Sequence, residues 1–313
     1  MKKVLSVLLL LILAITVSIS LVACGDDGTD DGTNGAADGS TSGDNNSAMP
    51  DGAMHELDYE LSEDSSYYIV SGWGVHFAQE IVVPATHEGK PVKEIKDNCF
   101  NNKVDPQTRM TKITLPDTIE RIGTQAFKGC KALTSVTFGS GIKEIAEGAF
   151  AECTALTSIS LNEGLTTIGS MAFASCTSLT SITLPTTLTS IGMAAFDGSA
   201  YATNESNARN GIVFVRVRDN TSWAVAVYNY DIMYATVYSN VRNTVGIADG
   251  TFIGCDRVDT IILPDTMKYI GKNAFEGCPI RDGLYCDETT WQNIDLAAGN
   301  SALNSLYKGP WVE

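Results

Sequence analysis

The sequence has little positive charge and little histidine, and both shortages exclude classes of function. It carries 21 Lys and Arg against 37 Asp and Glu, a formal net charge of −16 at pH 7. A surface of this sign repels phosphate backbones, so we expect no nucleic acid partner. Only three histidines are present, His55, His76 and His87, and no cysteines stand in a Cys-x-x-Cys pair. The sequence therefore predicts no metal site and no cofactor.

Groupings of residues that suggest catalysis are equally scarce. All three histidines precede the repeated part of the chain, and no glycine-flanked serine or reactive cysteine stands near them. The paired carboxylates that a glycosidase needs are not identifiable either. Because catalysis requires convergent titratable groups or a metal, we predict that the protein is not an enzyme and assign no catalytic residue.

An export pattern is present at the N-terminus. Lys2 and Lys3 precede the apolar run 4–22, which ends before Ala23 and Cys24. This order is typical of a secretory signal, and we predict a lipoprotein signal peptide over residues 1–23. An uncleaved membrane helix is the alternative, since the run is nearly long enough to span a bilayer. The end of the run also resembles a bacterial lipobox, which implies that Cys24 is lipidated and anchors the protein to the cell membrane.

Residues 24–54 contain almost nothing that could form a core. Between residues 25 and 53 there are seven Asp and no basic residue, among Gly, Ser, Asn and Thr. Such a stretch cannot bury enough apolar surface to offset the entropy lost on ordering. We predict a disordered acidic tether that lifts the folded part off the membrane.

A 23-residue period organises the rest of the chain. An Ile precedes each repeated phenylalanine by five positions, and a Cys follows most of them by three. The phenylalanines are Phe127, Phe150, Phe173, Phe196, Phe252 and Phe275. One such unit cannot bury its apolar face alone, so neighbouring units must stack around a shared core. We therefore expect one internal column of phenylalanines and another of isoleucines.

The repeated cysteines are interpreted as small buried apolar residues. They are Cys130, Cys153, Cys176, Cys255 and Cys278. Disulfides between neighbouring units are the alternative, since the predicted compartment is oxidising. One repeat position used five times favours packing over pairing.

The other half of each unit has an L-x-x-I-x-L pattern, as in Leu156, Ile159 and Leu161. Its alternation predicts a short strand with one face inward. Hydroxyl residues occupy the outward positions: Ser135, Thr137, Ser158, Ser160, Ser181 and Thr183. A face of this kind can form hydrogen bonds with protein or glycan. Ordinary solvated strand surface is the alternative.

Together these positions resemble the BspA-like leucine-rich-repeat proteins of bacterial surfaces. Residues 179–199 read LTSITLPTTLTSIGMAAFDGS, with close copies at 133–153 and 156–176. The resemblance covers about residues 57–313 and implies a β-rich solenoid, a right-handed coil of 23-residue repeats with terminal caps. We predict the solenoid over residues 55–280 and a C-terminal cap over 281–313.

The period is interrupted between Phe196 and Phe252, which are 56 residues apart, two periods plus ten. One degenerate repeat with a hairpin-like insertion at about 200–246 fits this gap. Aromatic residues are frequent there, and Trp223, Tyr228 and Tyr230 are candidate ligand contacts. The alternative, which we favour, is that these rings pack the broken solenoid.

Exposure, solenoid geometry and the resemblance together predict a function. We expect a lipid-anchored protein outside the cytoplasm, exposed on the bacterial cell surface, that binds an unknown extracellular protein or polysaccharide in adhesion or a related interaction. The alternative is a structural envelope protein without an external ligand.

Overall fold

The computed structural model describes residues 57–73, 79–101, 110–209, 212–226, 237–239, 243–255 and 258–310. The predicted signal peptide, Cys24 and the tether lie outside the described residues, as do Tyr228 and Tyr230. No helix within the described ranges combines the length and apolar character needed to cross a membrane.

Short strands account for most of the regular structure. In chain order they are β1 (Asp58–Leu61), β2 (Tyr68–Gly72), β3 (Glu80–Val82), β4 (Thr86–His87), β5 (Lys90–Ile95), β6 (Lys112–Thr114), β7 (Arg121–Ile122), β8 (Ser135–Thr137), β9 (Glu144–Ile145), β10 (Ser158–Ser160), β11 (Thr167–Ile168), β12 (Ser181–Thr183), β13 (Ser190–Ile191), β14 (Ala208–Arg209), β15 (Ile212–Arg216), β16 (Ser222–Ala226), β17 (Val237–Ser239), β18 (Thr244–Ile247), β19 (Thr260–Ile262), β20 (Tyr269–Ile270), β21 (Gly283–Tyr285) and β22 (Asp295–Leu296). Two short helices, α1 (Glu288–Asn293) and α2 (Leu303–Leu306), lie near the C-terminus.

The strands stack in two parallel ladders, and each coil of the solenoid contributes one strand to each ladder. The hydroxyl ladder contains three groups of paired strands: β3, β6 and β8, then β10 and β12, and later β17, β19 and β21. The isoleucine ladder contains β2, β5, β7, β9, β11 and β13, and later β16, β18, β20 and β22. Pairing joins equivalent repeat positions, so Ile145, Ile168 and Ile191 lie side by side. The predicted solenoid and isoleucine column are confirmed.

The phenylalanines form the predicted internal column, but it has two parts. Phe100, Phe127, Phe150, Phe173 and Phe196 stack with centroid separations of 4.9, 4.9, 5.3 and 5.6 Å. Phe252 and Phe275 stack separately, at 4.8 Å. The rings of the long stack are fully buried, and nearly parallel packing lets one coil repeat on the next without a change of spacing.

The buried cysteines do more than fill space. The thiols of Cys130, Cys153 and Cys176 donate to carbonyl oxygens of the preceding coil, those of Phe100, Phe127 and Phe150, at 3.4, 3.2 and 3.2 Å. No disulfide bond joins cysteines of the described residues. Burial raises the pKa of Cys130 and of Cys176 to about 12, so these thiols stay protonated and are not nucleophiles.

The turn before each phenylalanine depends on left-handed backbone. The third residue after the isoleucine has a φ between 53° and 62° in seven coils. These residues are Asn98, Gln125, Gly148, Met171, Ala194, Gly250 and Asn273. An L-residue in this region costs roughly 1–2 kcal/mol, so the non-glycine members of the row hold strain that stacking must offset.

Substitutions at the glycine and non-glycine positions of this row should therefore change the free energy of unfolding in opposite directions. We expect Gly148→Ala to lower the free energy of unfolding by about 1 kcal/mol, because a side chain must then adopt the left-handed region. Met171→Gly should leave it unchanged or raise it by up to about 0.5 kcal/mol, relief of strain being partly offset by a more flexible unfolded chain. Urea denaturation measures both changes. Equal destabilisation by the two substitutions would contradict the strain argument.

The predicted hairpin is present, but it is part of the coil. Val217 forms a parallel bridge with Leu184, which lies 33 positions earlier. Val217 is therefore equivalent to Leu184 in the next coil, and the distance between them is one 23-residue period plus ten residues. Ala224 pairs with Ile247 and takes the isoleucine position of the same coil. In this coil the two strands, β15 and β16, also pair with each other in an antiparallel hairpin. The ten extra residues therefore precede β15, within the predicted range 200–246.

This hairpin, Ile212–Ala226, separates two hydrophobic cores, and we call it the partition hairpin. Val213, Val215 and Trp223 belong to the core of the preceding coils. Ile212 and Ala224 belong to the core of the following coils, where Phe214 also packs. Because successive residues of a strand point to opposite faces, one hairpin contributes to both cores. This explains why the phenylalanine column is divided.

Both ends of the solenoid carry caps. At the N-terminal end, β1 pairs antiparallel with β2. At the C-terminal end, the carboxylate of Asp287 accepts from the backbone N–H of Thr290 at 3.1 Å and begins α1. Trp291 on this helix stacks on Tyr307 with 5.2 Å between ring centroids.

Candidate functional site

The six predicted hydroxyl residues lie together on one face of the solenoid. We call the outward side of β6, β8, β10 and β12 the hydroxyl face. In β10 and β12, Ser158 lies beside Ser181 and Ser160 beside Thr183. Ser135 and Thr137 occupy the same positions on β8, which pairs with β6. Five of the six side chains are exposed and Thr183 is half-buried, while Ile159 and Ile182 between them point into the core.

Two kinds of hydroxyl group occur on these coils. Thr134 and Thr180, just before the strands, donate to the carbonyl oxygens of Thr111 and Thr157 in the preceding coil, at 2.9 and 3.4 Å. These groups are part of the scaffold. Of the six predicted residues, all of them described, only Ser160 has an intramolecular hydrogen-bond partner, Arg218. The other five hydroxyls are available to a ligand.

Arg218 is a residue of this face that sequence reasoning missed. It follows β15, and its Nη2 donates to Ser160 Oγ at 3.1 Å and to the carbonyl oxygen of Leu161 at 2.8 Å. Its Nε lies 3.8 Å from Glu163 Oε1. The guanidinium thus reaches past β12 to β10 and places a positive charge among the hydroxyls. Nothing in the repeat pattern signals this contact, because the two residues are 58 positions apart and occupy different repeat positions.

The isoleucine ladder has a different outer surface, where charges are paired among themselves. Glu120 bridges two lysines, with Oε1 2.8 Å from Lys93 Nζ and Oε2 2.6 Å from Lys143 Nζ. The Lys143 and Lys93 ammonium groups hold the pKa of the Glu120 carboxyl below its usual range. Arg121 lies 3.1 Å from Asp97. Because these groups already have partners, this surface is a weaker candidate than the hydroxyl face.

Trp223 lies inside the protein. Its side chain is 1% exposed, and its ring stacks on Tyr269 with 5.7 Å between centroids. Gly246 makes room for it, since a Cβ there would lie 2.6 Å from the indole ring. A ligand could reach this ring only after the partition hairpin opened. Trp223, the aromatic candidate whose side chain is described, is therefore not accessible as a ligand contact.

A comparison with protein families identifies the same repeat. The family described as BspA type leucine-rich repeat region matches the chain in six copies, over residues 93–210 and 228–295. The chain belongs to this family. The matched ranges include every strand of the hydroxyl face, so that face is built from ordinary BspA-type repeats.

Several solved structures are similar to this BspA-type protein. The leucine-rich-repeat protein TpLRR of T. pallidum is 22% identical, covering 81% of this chain and 94% of its own, with a TM-score of 0.45. A leucine-rich cell surface protein of Faecalibacterium prausnitzii is 21% identical, covering 75% and 77%, with a TM-score of 0.34. The pneumococcal vaccine antigen PcpA is 18% identical, covering 74% and 68%, with a TM-score of 0.41. No curated protein matches the sequence.

Proposed function

We propose that this BspA-type protein is a recognition module that binds an extracellular protein or polysaccharide through its hydroxyl face. The observation that carries the proposal is the set of five unpartnered hydroxyls at equivalent repeat positions of β8, β10 and β12, strands that pair in parallel as β6–β8 and β10–β12. Neighbouring strands hold such groups about 4.8 Å apart. Because each of these strands pairs with a neighbouring strand, binding requires little ordering of the protein.

We further propose that the module acts outside the cell, anchored by a lipid on Cys24. The export pattern of residues 1–23 supports this location. One similar structure, that of the Faecalibacterium protein, is described as a cell surface protein. An acyl anchor followed by an acidic tether would leave the hydroxyl face accessible to ligands beyond the membrane.

The module is proposed to bind without chemical conversion of its ligand. A serine hydroxyl becomes a nucleophile only beside a base that takes its proton. Within the described residues, the one side chain that contacts a predicted hydroxyl of the face is Arg218, which donates and cannot act as a base. The described histidine, His87, lies in the N-terminal cap, stacked on Tyr59.

The proposal is tested by screening the full chain on protein and glycan arrays. We expect saturable binding to at least one ligand, and at least a tenfold loss in the triple variant Ser135→Glu, Ser158→Glu, Ser181→Glu, since these carboxylates occupy the face. The control Ser301→Glu, Ala302→Glu, Asn304→Glu adds the same charge at exposed positions of the C-terminal cap. It should bind like the wild type.

Two outcomes would reject this function. One is equal binding by the face variant and the wild type, which would place the site elsewhere. The other is silence across both arrays together with recovery of the protein in stable envelope assemblies, which would favour the structural alternative. Thermal melting of each variant checks that the fold is retained.

A further inference from the structure

We propose that the ligand of the hydroxyl face is an anionic polysaccharide, whose carboxylate or sulfate groups pair with Arg216 and Arg218. This inference rests on the proposed function and names the class of ligand. It is carried by the charges on the face, which differ from those of the chain as a whole.

The outward residues from β6 to β15 form two rows that contain no carboxylate. The first row is Lys112, Ser135, Ser158 and Ser181, and the second is Thr114, Thr137, Ser160, Thr183 and Arg216. Phe214 follows Ser181 in the first row but packs against the core of the following coils. The bridge between Leu184 and Val217 sets Arg216 beside Thr183. At about 4.8 Å per strand, Lys112 and Arg216 mark the ends of a track about 19 Å long. That is the length of a few sugar units.

The cations of this track are available to a ligand. Arg216 is exposed and, within the described structure, has no salt bridge. Lys112 is paired with Glu80 at 3.7 Å, but both side chains are about half exposed or more, so the pair is weak and exchangeable. Arg218 is held in place by Leu161 and Ser160 and is only loosely balanced by Glu163 at 3.8 Å. Fixed guanidinium groups suit carboxylates and sulfates because they donate in a planar fork.

The remaining side chains favour a glycan over a peptide as the anion. Protein interfaces depend on buried apolar anchors at their centre. Between Lys112 and Thr183 the exposed outward residues are hydroxyl-bearing. Of the exposed large apolar residues, Leu61, Met171 and Ile253 lie elsewhere, and Val82 lies beside Thr114 on β3, just beyond the end of the track. Serine and threonine hydroxyls both donate and accept, as sugar hydroxyls do. Without an aromatic platform, affinity per sugar is low and depends on several sugars binding at once.

The overall charge of −16 opposes a polyanion, but the range of this repulsion is limited. The Debye length is about 8 Å at physiological ionic strength, so carboxylates on other faces are largely screened from the track. Contacts at hydrogen-bond distance to Arg216 and Arg218 are screened much less. Binding is therefore expected at about 0.15 M salt, and it should weaken in molar salt, where screening is stronger.

The test uses the full chain immobilised for interferometry and three soluble probes: polygalacturonate, dextran sulfate and neutral dextran. We expect binding of one or both charged probes and none of dextran. The single variant Arg216→Gln should weaken binding of the charged probe at least threefold. The double variant Arg216→Gln/Arg218→Gln should weaken it at least tenfold. The control Lys268→Gln/Lys272→Gln removes two exposed cations of later coils and should change it less than twofold. Arg216→Gln removes no salt bridge of the described residues, and thermal melting of this variant distinguishes a loss of binding from a folding defect.

The outcomes separate this inference from the proposed function. Binding of polygalacturonate alone identifies a carboxylated ligand, and binding of dextran sulfate alone a sulfated one; both support the inference. Equal binding of dextran, equal losses in the lysine control, or no binding of any probe overturn it. In each of those cases the array test with the triple glutamate variant still decides independently whether the hydroxyl face recognises a neutral glycan or a protein.

Discussion

Phe150→Ala is expected to lower the free energy of unfolding by about 3–5 kcal/mol. The ring lies between Phe127 at 4.9 Å and Phe173 at 5.3 Å, and Phe138 meets its edge at 5.8 Å. Removing it leaves a cavity that the neighbouring coils cannot close, because pairing of β9 with both β7 and β11 fixes the spacing of these coils. Stability in a solenoid depends on contacts between neighbours, so both interfaces of this coil should weaken together.

Denaturation in urea measures this loss, with Val82→Ala as control. Val82 is 71% exposed, and its truncation should change stability by less than about 0.5 kcal/mol. Phe150→Leu should be intermediate, since it retains much of the buried volume. A loss below about 1 kcal/mol for Phe150→Ala would show that the stack is not a main source of stability.

Trp223→Ala should also lower the free energy of unfolding by about 3–5 kcal/mol. In addition, it should change the number of unfolding transitions. The indole packs in the first core while its neighbour Ala224 packs in the second. Losing the ring weakens the partition hairpin through which the two cores are joined. We therefore expect a single unfolding transition to divide into two, with coils before residue 200 and after residue 243 protected separately in hydrogen exchange.

Trp223→Phe is the matched variant, since it keeps a ring against Tyr269 and should retain one transition. The same pair of variants decides between the two interpretations of the aromatic segment. If Trp223→Ala left stability unchanged and abolished ligand binding, the ring would be a contact residue after all. Loss of stability, with binding by the hydroxyl face retained in the folded fraction, would assign Trp223 to packing.

The repeat pattern predicted most of the fold because equivalent residues stack on one another. The phenylalanine spacing located the rings of the long stack, and the L-x-x-I-x-L pattern located the strands of the hydroxyl ladder. The outward positions of the six hydroxyl residues follow from the same alternation. What the pattern could not distinguish is which hydroxyls are free, because Thr134 and Ser135 look alike until a carbonyl oxygen is placed beside the first of them.

The irregular coil shows where such prediction ends. The excess of ten residues predicted a disturbance and a hairpin, and both are present. The favoured interpretation, that the aromatic rings pack the broken solenoid, agrees with the burial of Trp223. The pattern did not predict that the hairpin divides the core or that Arg218 reaches Ser160. These contacts join residues that are not equivalent in the repeat, so no periodic signal marks them.

The sequence by itself thus determined the period, the strands of the hydroxyl ladder, the columns of the core and the composition of the hydroxyl face. Each of these depends on contacts between equivalent residues of adjacent coils, and such contacts are encoded in spacing. Tertiary structure alone decided where the thiols donate, how the partition hairpin separates two cores, and which cations reach the hydroxyl face. Those features depend on the path of a coil ten residues longer than its neighbours, and that path is set by packing on both of its sides.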